Sequence, residues 1–270
     1  MESLALEVRE GVATVTLLGP GKGNALGPAF WNELPELFAQ LDADAAVRAV
    51  IVRGGGKAFT FGLDLMAMAG ELGPLILPGG GASERTALIA MIRKLQGAID
   101  AVARCTKPVI AAVHGWCIGG GLDLASACDV RLCSADARFS LREVKVAMVA
   151  DIGSLQRLPG IIGEGHTREL AFTGRDVDAP RALRIGLVND VYDTPDALFS
   201  AAEQLAQDMA KNPPLVVSGI KQVLNAESEA RAQRGLAFVA AWNAAFLPSE
   251  DLQEAFAAFA ERRDPVFKGR

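Results

Sequence analysis

The stretch His114–Leu158, HGWCIGGGLDLASACDVRLCSADARFSLREVKVAMVADIGSLQRL, decides the fold. An apolar run, Pro108–Val113, leads into it like a buried strand, and three consecutive glycines, Gly119–Gly121, follow. A strand that ends in glycines and starts a helix leaves backbone N–H groups unpaired, and the helix dipole adds positive potential there. Such amides can hold an anion, or an oxygen on which charge develops. A plain strand-to-helix turn with no ligand accounts for the spacing equally well. Asp123 comes just after the glycines, and Glu143 and Asp151 follow among valine, alanine and methionine. Exposed amides beside acids in apolar company point to proton-transfer chemistry in an α/β fold.

Neither glycine cluster fits a nucleotide loop. Gly115-Trp116-Cys117-Ile118-Gly119-Gly120 lacks G-x-G-x-x-G spacing. Gly54-Gly55-Gly56-Lys57-Ala58 lacks both the leading glycine and the Ser or Thr of a phosphate loop. A different pattern stands out instead. Gly121-Leu122-Asp123-Leu124 repeats Gly62-Leu63-Asp64-Leu65, and both follow a valine-rich strand and a glycine-rich turn. Matching context on both sides predicts a repeated strand–turn–helix unit.

Outward from that core, Leu4–Val8 and Val12–Leu18 alternate around Glu10-Gly11 and predict a hairpin. A glycine-rich loop, Gly19–Gly23, leads to Asn24-Ala25-Leu26. Pro28 opens a helix carrying Phe30, Leu34, Leu37, Phe38 and Leu41 on one face, with Pro35 as a potential kink. Ala49–Val52 is a short buried strand. Gly70–Ala82 reads as a glycine- and proline-rich loop, and Ser83 as the cap of a helix that buries Leu88, Met91, Ile92, Leu95, Ile99 and Val102. Helix, short strand and helix continue to Val191. From Pro195 the pattern is helical only, in stretches near 195–211, 214–226, 230–246 and 249–262. The chain therefore divides into a core, 1–194, and a helical region, 195–270.

The 270 residues are half hydrophobic and carry a net charge of −5. That balance disfavours a nucleic-acid or anionic-membrane partner, which usually meets a basic face. The four cysteines, Cys105, Cys117, Cys128 and Cys133, form no C-x-x-C pair and read as buried thiols of a reducing compartment. With His114 and His166 the only histidines, no metal centre is expected. No apolar run reaches transmembrane length and MESLALEVRE is not a signal peptide, so a soluble, cytoplasmic protein is expected.

Each acid has a structural reading on its own. Asp123 suits the first turn of a helix, Glu143 the solvent face of a strand, and Asp151 an N-cap worth ~1 kcal/mol. Gathered in one apolar cavity, each buried ion would cost several kcal/mol, more than a cap returns. Carboxyls so placed hold protons near neutral pH, a property that serves chemistry.

KAFTFGLDL, HGWCIGGGLDLASACDVRLC, REVKVAMVADIGSLQRLPG and FTGRDVDAPRALRIGLVNDV together resemble the crotonase (enoyl-CoA hydratase/isomerase) superfamily over nearly the whole chain. The resemblance implies a spiral of ββα units with a C-terminal helical region that trimerises, as a homotrimer or a hexamer built from two trimers. It implies an acyl-CoA thioester as substrate, with CoA part of that substrate and no further cofactor. An oxyanion hole would come from the backbone N–H groups of Leu63 and Gly120. Ala25 and Lys57 would contact CoA, and Phe259 and Arg262 would reach a neighbouring subunit's ligand.

Within the superfamily the acid set is similar to that of the Δ3,5-Δ2,4-dienoyl-CoA isomerases, which have Asp, Glu and Asp at the positions of Asp123, Glu143 and Asp151. Hydratases have glutamates at the first two positions and glycine at the third. The resemblance therefore implies isomerisation of 3,5-dienoyl-CoA to 2,4-dienoyl-CoA, an auxiliary step of fatty-acid β-oxidation. Glu143 is expected to remove the C2 proton, Asp151 to deliver one to C6, and Asp123 to steer the pair. Enoyl-CoA hydration is the alternative, and binding without catalysis, RNA binding included, is a third reading that the acidic balance disfavours. Phe61, Trp116, Met66 and Arg262, where the family has a lysine, depart from the pattern.

Overall fold

The computed structural model describes residues 1–19, 23–77 and 79–270. Residues 20–22 of the expected 19–23 loop, and residue 78 of the expected 70–82 loop, lie outside the described residues.

Leu4–Arg9 (β1) and Val12–Leu17 (β2) form the antiparallel hairpin, turned by Glu10 and Gly11 at positive φ. From there the chain spirals. Helix α1 (Pro28–Ala43), which continues past Pro35, returns it to β3 (Ala49–Gly54). Helices α2 (Ala69–Ile76) and α3 (Ala82–Arg104) lead to β4 (Val109–Val113) and β5 (Trp116–Ile118). Helix α4 (Gly120–Ala127) leads to β6 (Val130–Ser134) and β7 (Arg138–Ser140). A 3₁₀ turn (Glu143–Val146) and α5 (Ser154–Thr173) lead to β8 (Asp176–Asp178), α6 (Ala179–Arg184) and β9 (Asp190–Tyr192).

Six strands make one sheet in the order β1-β2-β3-β4-β6-β9, parallel after the first hairpin, while β5, β7 and β8 make a smaller sheet. Parallel neighbours require a crossover, and each turn supplies one through a helix. Strand β4 is buried along its whole length, as a parallel strand covered on both faces must be. One face packs on Phe30, Trp31, Leu34, Leu37 and Phe38 of α1 and Ile99 and Val102 of α3. The other packs on Leu198, Ala202 and Ala206 of α7 (Pro195–Ala210).

Past β9 the regular structure is helical: α7, then α8 (Pro214–Phe246) and α9 (Glu250–Glu261). Two of the four expected stretches, 214–226 and 230–246, are one helix of 33 residues. The polar segment between them, Glu227-Ser228-Glu229, is helix-compatible and simply continues the turn. Helix α8 is fastened to the core. The Lys221 ammonium donates to the Asp129 carboxylate at 2.7 Å and to the Lys107 carbonyl at 3.0 Å. Further along, Ala240 and Ala244 pack on Leu88 and Ile92 of α3.

Two local expectations are corrected. Part of the 70–82 loop is the short helix α2, which tolerates Pro74. Helix α3 begins one residue earlier than Ser83 and is capped at Gly81, whose N–H donates to the Glu84 carboxylate at 2.8 Å. Ser83 is thus already inside the first turn.

Candidate active site

The site forms where two turns of the spiral touch. Thr60 bridges to Cys117, and three residues on from each lie Leu63 and Gly120. Gly62, at φ +82°, makes the contact possible: a Cβ there would stand 2.4 Å from the Ile118 carbonyl oxygen and 3.2 Å from Gly120 N. Only glycine permits that approach. Leu63 N in turn lies 3.7 Å from where a Cβ on Gly120 would stand. Among the described residues, neither the Leu63 N–H nor the Gly120 N–H finds an acceptor. Gly120 opens α4, where the first N–H groups have no intrahelical partner. Two free donors therefore sit side by side.

Three acids from distant segments meet beside them. Asp123, 1% exposed, sits in the first turn of α4, and its Oδ1 accepts the Ser154 N–H at 2.5 Å. Glu143 opens the 3₁₀ turn, and its Oε1 lies 3.0 Å from where a Cβ on Gly119 would stand. Glu143 Oε2 is shut off from water and has no hydrogen-bond partner among the described residues. Asp151 precedes α5, and its Oδ2 accepts from Asn243 Nδ2 at 2.7 Å. As residues, Glu143 and Asp151 keep some accessible surface, while their carboxyl groups lie deep.

Burial dominates their electrostatics. It pushes Asp123 up to about 6, opposed by the Ser154 N–H hydrogen bond and the Arg157 guanidinium. It pushes Asp151 up to about 7, opposed by Asn243 and reinforced by the Asp123 charge. Glu143 rises furthest, to about 8, through burial and then through the charges of Asp123 and Asp151. Each acid feels another, so the three form one cluster and titrate together.

The structural readings of the acids are replaced by this arrangement. Glu143 follows β7 instead of lying on its solvent face, and Asp151 caps nothing, since α5 is capped at Gly153. It is Asp123 that receives the first N–H of α5. The repeated tetrapeptide is not structurally equivalent either. Gly62 lies two residues beyond Thr60 and Gly121 four beyond Cys117, so the matching letters are out of register by two.

Other expected residues fall in different places. Ala25 is half-buried beside Leu26, whose N–H donates to Gly62 O at 2.8 Å, so it borders the amide pair. Lys57 is exposed on the turn after β3. Phe259 is 78% exposed and Arg262 ends α9 in the open. The Arg262 side chain has no hydrogen-bond partner among the described residues, so within this chain neither joins the acids. Two cavities of about 450 and 470 Å³ contain none of the acids; one lies between α5 and α8, the other between β1–β3 and α7. No group of His, Cys, Asp or Glu among the described residues is arranged to hold a metal ion.

Three residues that sequence reading missed hold the cluster. Asn243 grips Asp151 and also donates to Val149 O at 2.8 Å. Gln96 of α3 donates to the Asp151 carbonyl at 2.7 Å and to Leu236 O at 3.1 Å. Arg157 pairs with the buried Asp100 at 2.5 Å and lowers Asp123. Asn243 had a sequence signal: it is a polar residue on the buried stripe Leu236, Val239, Ala240, Asn243, Ala244.

The family model for enoyl-CoA hydratase/isomerase matches residues 7–270. The chain belongs to the enoyl-CoA hydratase/isomerase family. A relative from Dictyostelium discoideum, a mitochondrial Δ(3,5)-Δ(2,4)-dienoyl-CoA isomerase, is 45% identical over 260 residues, covering 95% of this chain and 87% of the relative. A peroxisomal Δ(3,5)-Δ(2,4)-dienoyl-CoA isomerase from Arabidopsis thaliana is 42% identical, covering 92% of this chain and 89% of its own. A solved enoyl-CoA hydratase/isomerase from Pseudoalteromonas atlantica T6c is 27% identical and superposes with a TM-score of 0.85, over 98% of this chain and all of the other. The crotonase spiral of this family is thus the fold of the chain.

The same comparison corrects the cytoplasmic expectation, since those relatives are mitochondrial and peroxisomal. The expectation rests on the polar start MESLALEVRE and on the absence of long apolar runs. Those features bear on secretion and membrane crossing, and do not discriminate among interior compartments. Among the described residues, no helix is long and apolar enough to cross a membrane.

Proposed function

We propose that the protein isomerises 3,5-dienoyl-CoA to 2,4-dienoyl-CoA by moving a proton from C2 to C6. The observation that carries this reading is Asp151, a third buried carboxyl within electrostatic reach of Asp123 and Glu143. Hydration needs only two acids straddling one water. The dienoyl-CoA isomerase relatives at 45% and 42% identity support the same reading.

Removing the C2 proton places charge on the thioester oxygen and spreads it along the diene to C6. The Leu63 and Gly120 N–H groups would receive that oxygen; one such donor is typically worth ~3 kcal/mol. Glu143 acts as base at C2 and Asp151, neutral in its apolar surroundings, as acid at C6. Asp123 sets the charge both of them feel. Burial raises both Glu143 and Asp151, so the cluster can hold a proton near neutral pH and trade it between its members. Activity then follows a bell in pH whose limbs belong to the coupled acids together.

CoA enters as part of the substrate, with Ala25 and Lys57 beside it, and the chemistry uses no further cofactor. The product suits an auxiliary step of fatty-acid β-oxidation. Residues 195–270 serve assembly as a trimer or a pair of trimers. Leu215, Val223, Leu224, Phe238 and Phe246 of α8 are exposed by more than half, which supports that role. In such an assembly Phe259 and Arg262 reach a neighbour's CoA.

The test is to supply 3,5-dienoyl-CoA and follow the absorbance of the conjugated 2,4-diene, with 2-enoyl-CoA assayed for water addition in parallel. Diene formation is expected to dominate. Hydration without diene formation would return the protein to the hydratase reading.

A further inference from the structure

The catalytic core does not hold Asp151 by itself. The segment before α5 is gripped from two sides by amide side chains. Asn243, 2% exposed on the inner face of α8, donates to Asp151 Oδ2 at 2.7 Å and to Val149 O at 2.8 Å. Gln96, 5% exposed on α3, donates to the Asp151 carbonyl at 2.7 Å and to the α8 carbonyl of Leu236 at 3.1 Å. One amide fixes the carboxyl and the other fixes the backbone beneath it. Both also tie α8 to the site.

We propose that Asn243 is a positioning residue for Asp151: its amide occupies Oδ2, so that a proton on the carboxyl must sit on Oδ1, the oxygen left for the acyl chain. The geometry is selective because an amide NH₂ can only donate. Oδ2 is committed as acceptor, and a neutral Asp151 has one remaining place for its O–H. A carboxyl free to rotate would spread the proton over both oxygens and over many directions, and an acid misplaced by ~1 Å loses on the order of 10²-fold in rate. The C-terminal helix thereby takes part in the reaction as well as in the fold. This inference rests on the isomerase reading given above.

The groups facing Asp151 are Asp123 from α4, Glu143 from the 3₁₀ turn, with Arg157 of α5 acting on Asp123, and Asn243 from α8. Among them Asn243 favours the ionised form of Asp151. Removing its donor makes the acid cluster hold its protons to higher pH, so the pH optimum moves upward.

The experiment compares the parent protein with Asn243→Leu, which is near-isosteric and donates nothing, Asn243→Ser, which keeps a donor, and Gln96→Leu. Diene formation from 3,5-dienoyl-CoA is measured against pH, together with deuterium wash-in at C2 in D₂O and circular dichroism. For Asn243→Leu, kcat should fall on the order of ten-fold or more. Its optimum should move up by roughly half a unit or more, as loss of one hydrogen bond implies. C2 exchange should persist, because Glu143 is untouched. Asn243→Ser should recover part of kcat, and Gln96→Leu should leave the optimum where it is. An unchanged kcat and optimum in Asn243→Leu would overturn the inference. So would loss of C2 exchange along with diene formation, or an equal shift of optimum in Gln96→Leu. If the parent itself makes no diene, the isomerase reading fails first, and that outcome is separate from all of these.

Discussion

The letters Gly-Leu-Asp-Leu occur at 62–65 and again at 121–124, with opposite fates. In the first copy Asp64 is half-buried, and its Oδ1 caps a surface turn by accepting the Ala67 N–H at 2.9 Å. In the second, Asp123 is sealed among apolar side chains and accepts the Ser154 N–H across 31 positions of chain. The first copy gives the site a backbone amide, that of Leu63. The second gives it a side chain, while its matching amide comes from Gly120, just ahead of the tetrapeptide. A short repeat thus marks two neighbouring turns of the spiral without making its letters equivalent. Which letters face the site depends on strand register, here fixed by the Thr60–Cys117 bridge.

The sharpest way to break the comparison is to exchange each aspartate. Asp123→Asn keeps an Oδ1 to accept the Ser154 N–H, so the fold should survive while the charge is lost. Diene formation is expected to fall on the order of 10²-fold. Because the Asp123 charge raises both Glu143 and Asp151, its removal should also move the pH optimum downward, which a pH–rate profile checks. Asp64→Ala should leave kcat within about twofold and cost only ~1 kcal/mol of stability for the lost cap, read by chemical denaturation.

An intermediate effect lies in stability. Glu143 has its folded pKa raised from 4.5 to about 8, so the folded state binds more protons than the unfolded across that window. Its contribution is present in full below the window and is lost as pH rises through it. Thermal melts should therefore fall from mildly acidic to alkaline pH. Glu143→Gln should flatten that slope and melt a few degrees higher than the parent at alkaline pH. A steeper slope in the variant would contradict the buried, unpartnered position of Glu143 Oε2.

Much of the frame was legible in the sequence because its signals are local. The Glu10-Gly11 turn, the all-apolar β4 and the glycines at 119–121 each encode their own conformation. The acid cluster was legible only as three suspicious residues in apolar company. Its convergence depends on Gly62 allowing two loops to touch, and on α8 folding back over the core. The break placed near 226–230 shows the limit from the other side. A polar, exposed segment of good helix formers reads as a linker, yet nothing in it stops a helix, and α8 runs through it. Continuing through it, the helix carries Asn243 onto Asp151. The clamp of Asn243 and Gln96 spans 92 and 55 positions of chain, and no local pattern encodes such a pairing.

The most direct test of the division of labour among the acids is Asp151→Asn incubated with 3,5-dienoyl-CoA in D₂O, with C2 exchange and diene absorbance followed together. Deuterium should enter at C2, because Glu143 and the two amides remain, while the 2,4-diene fails to accumulate for want of a donor at C6. Diene formation at the parent rate would contradict the account.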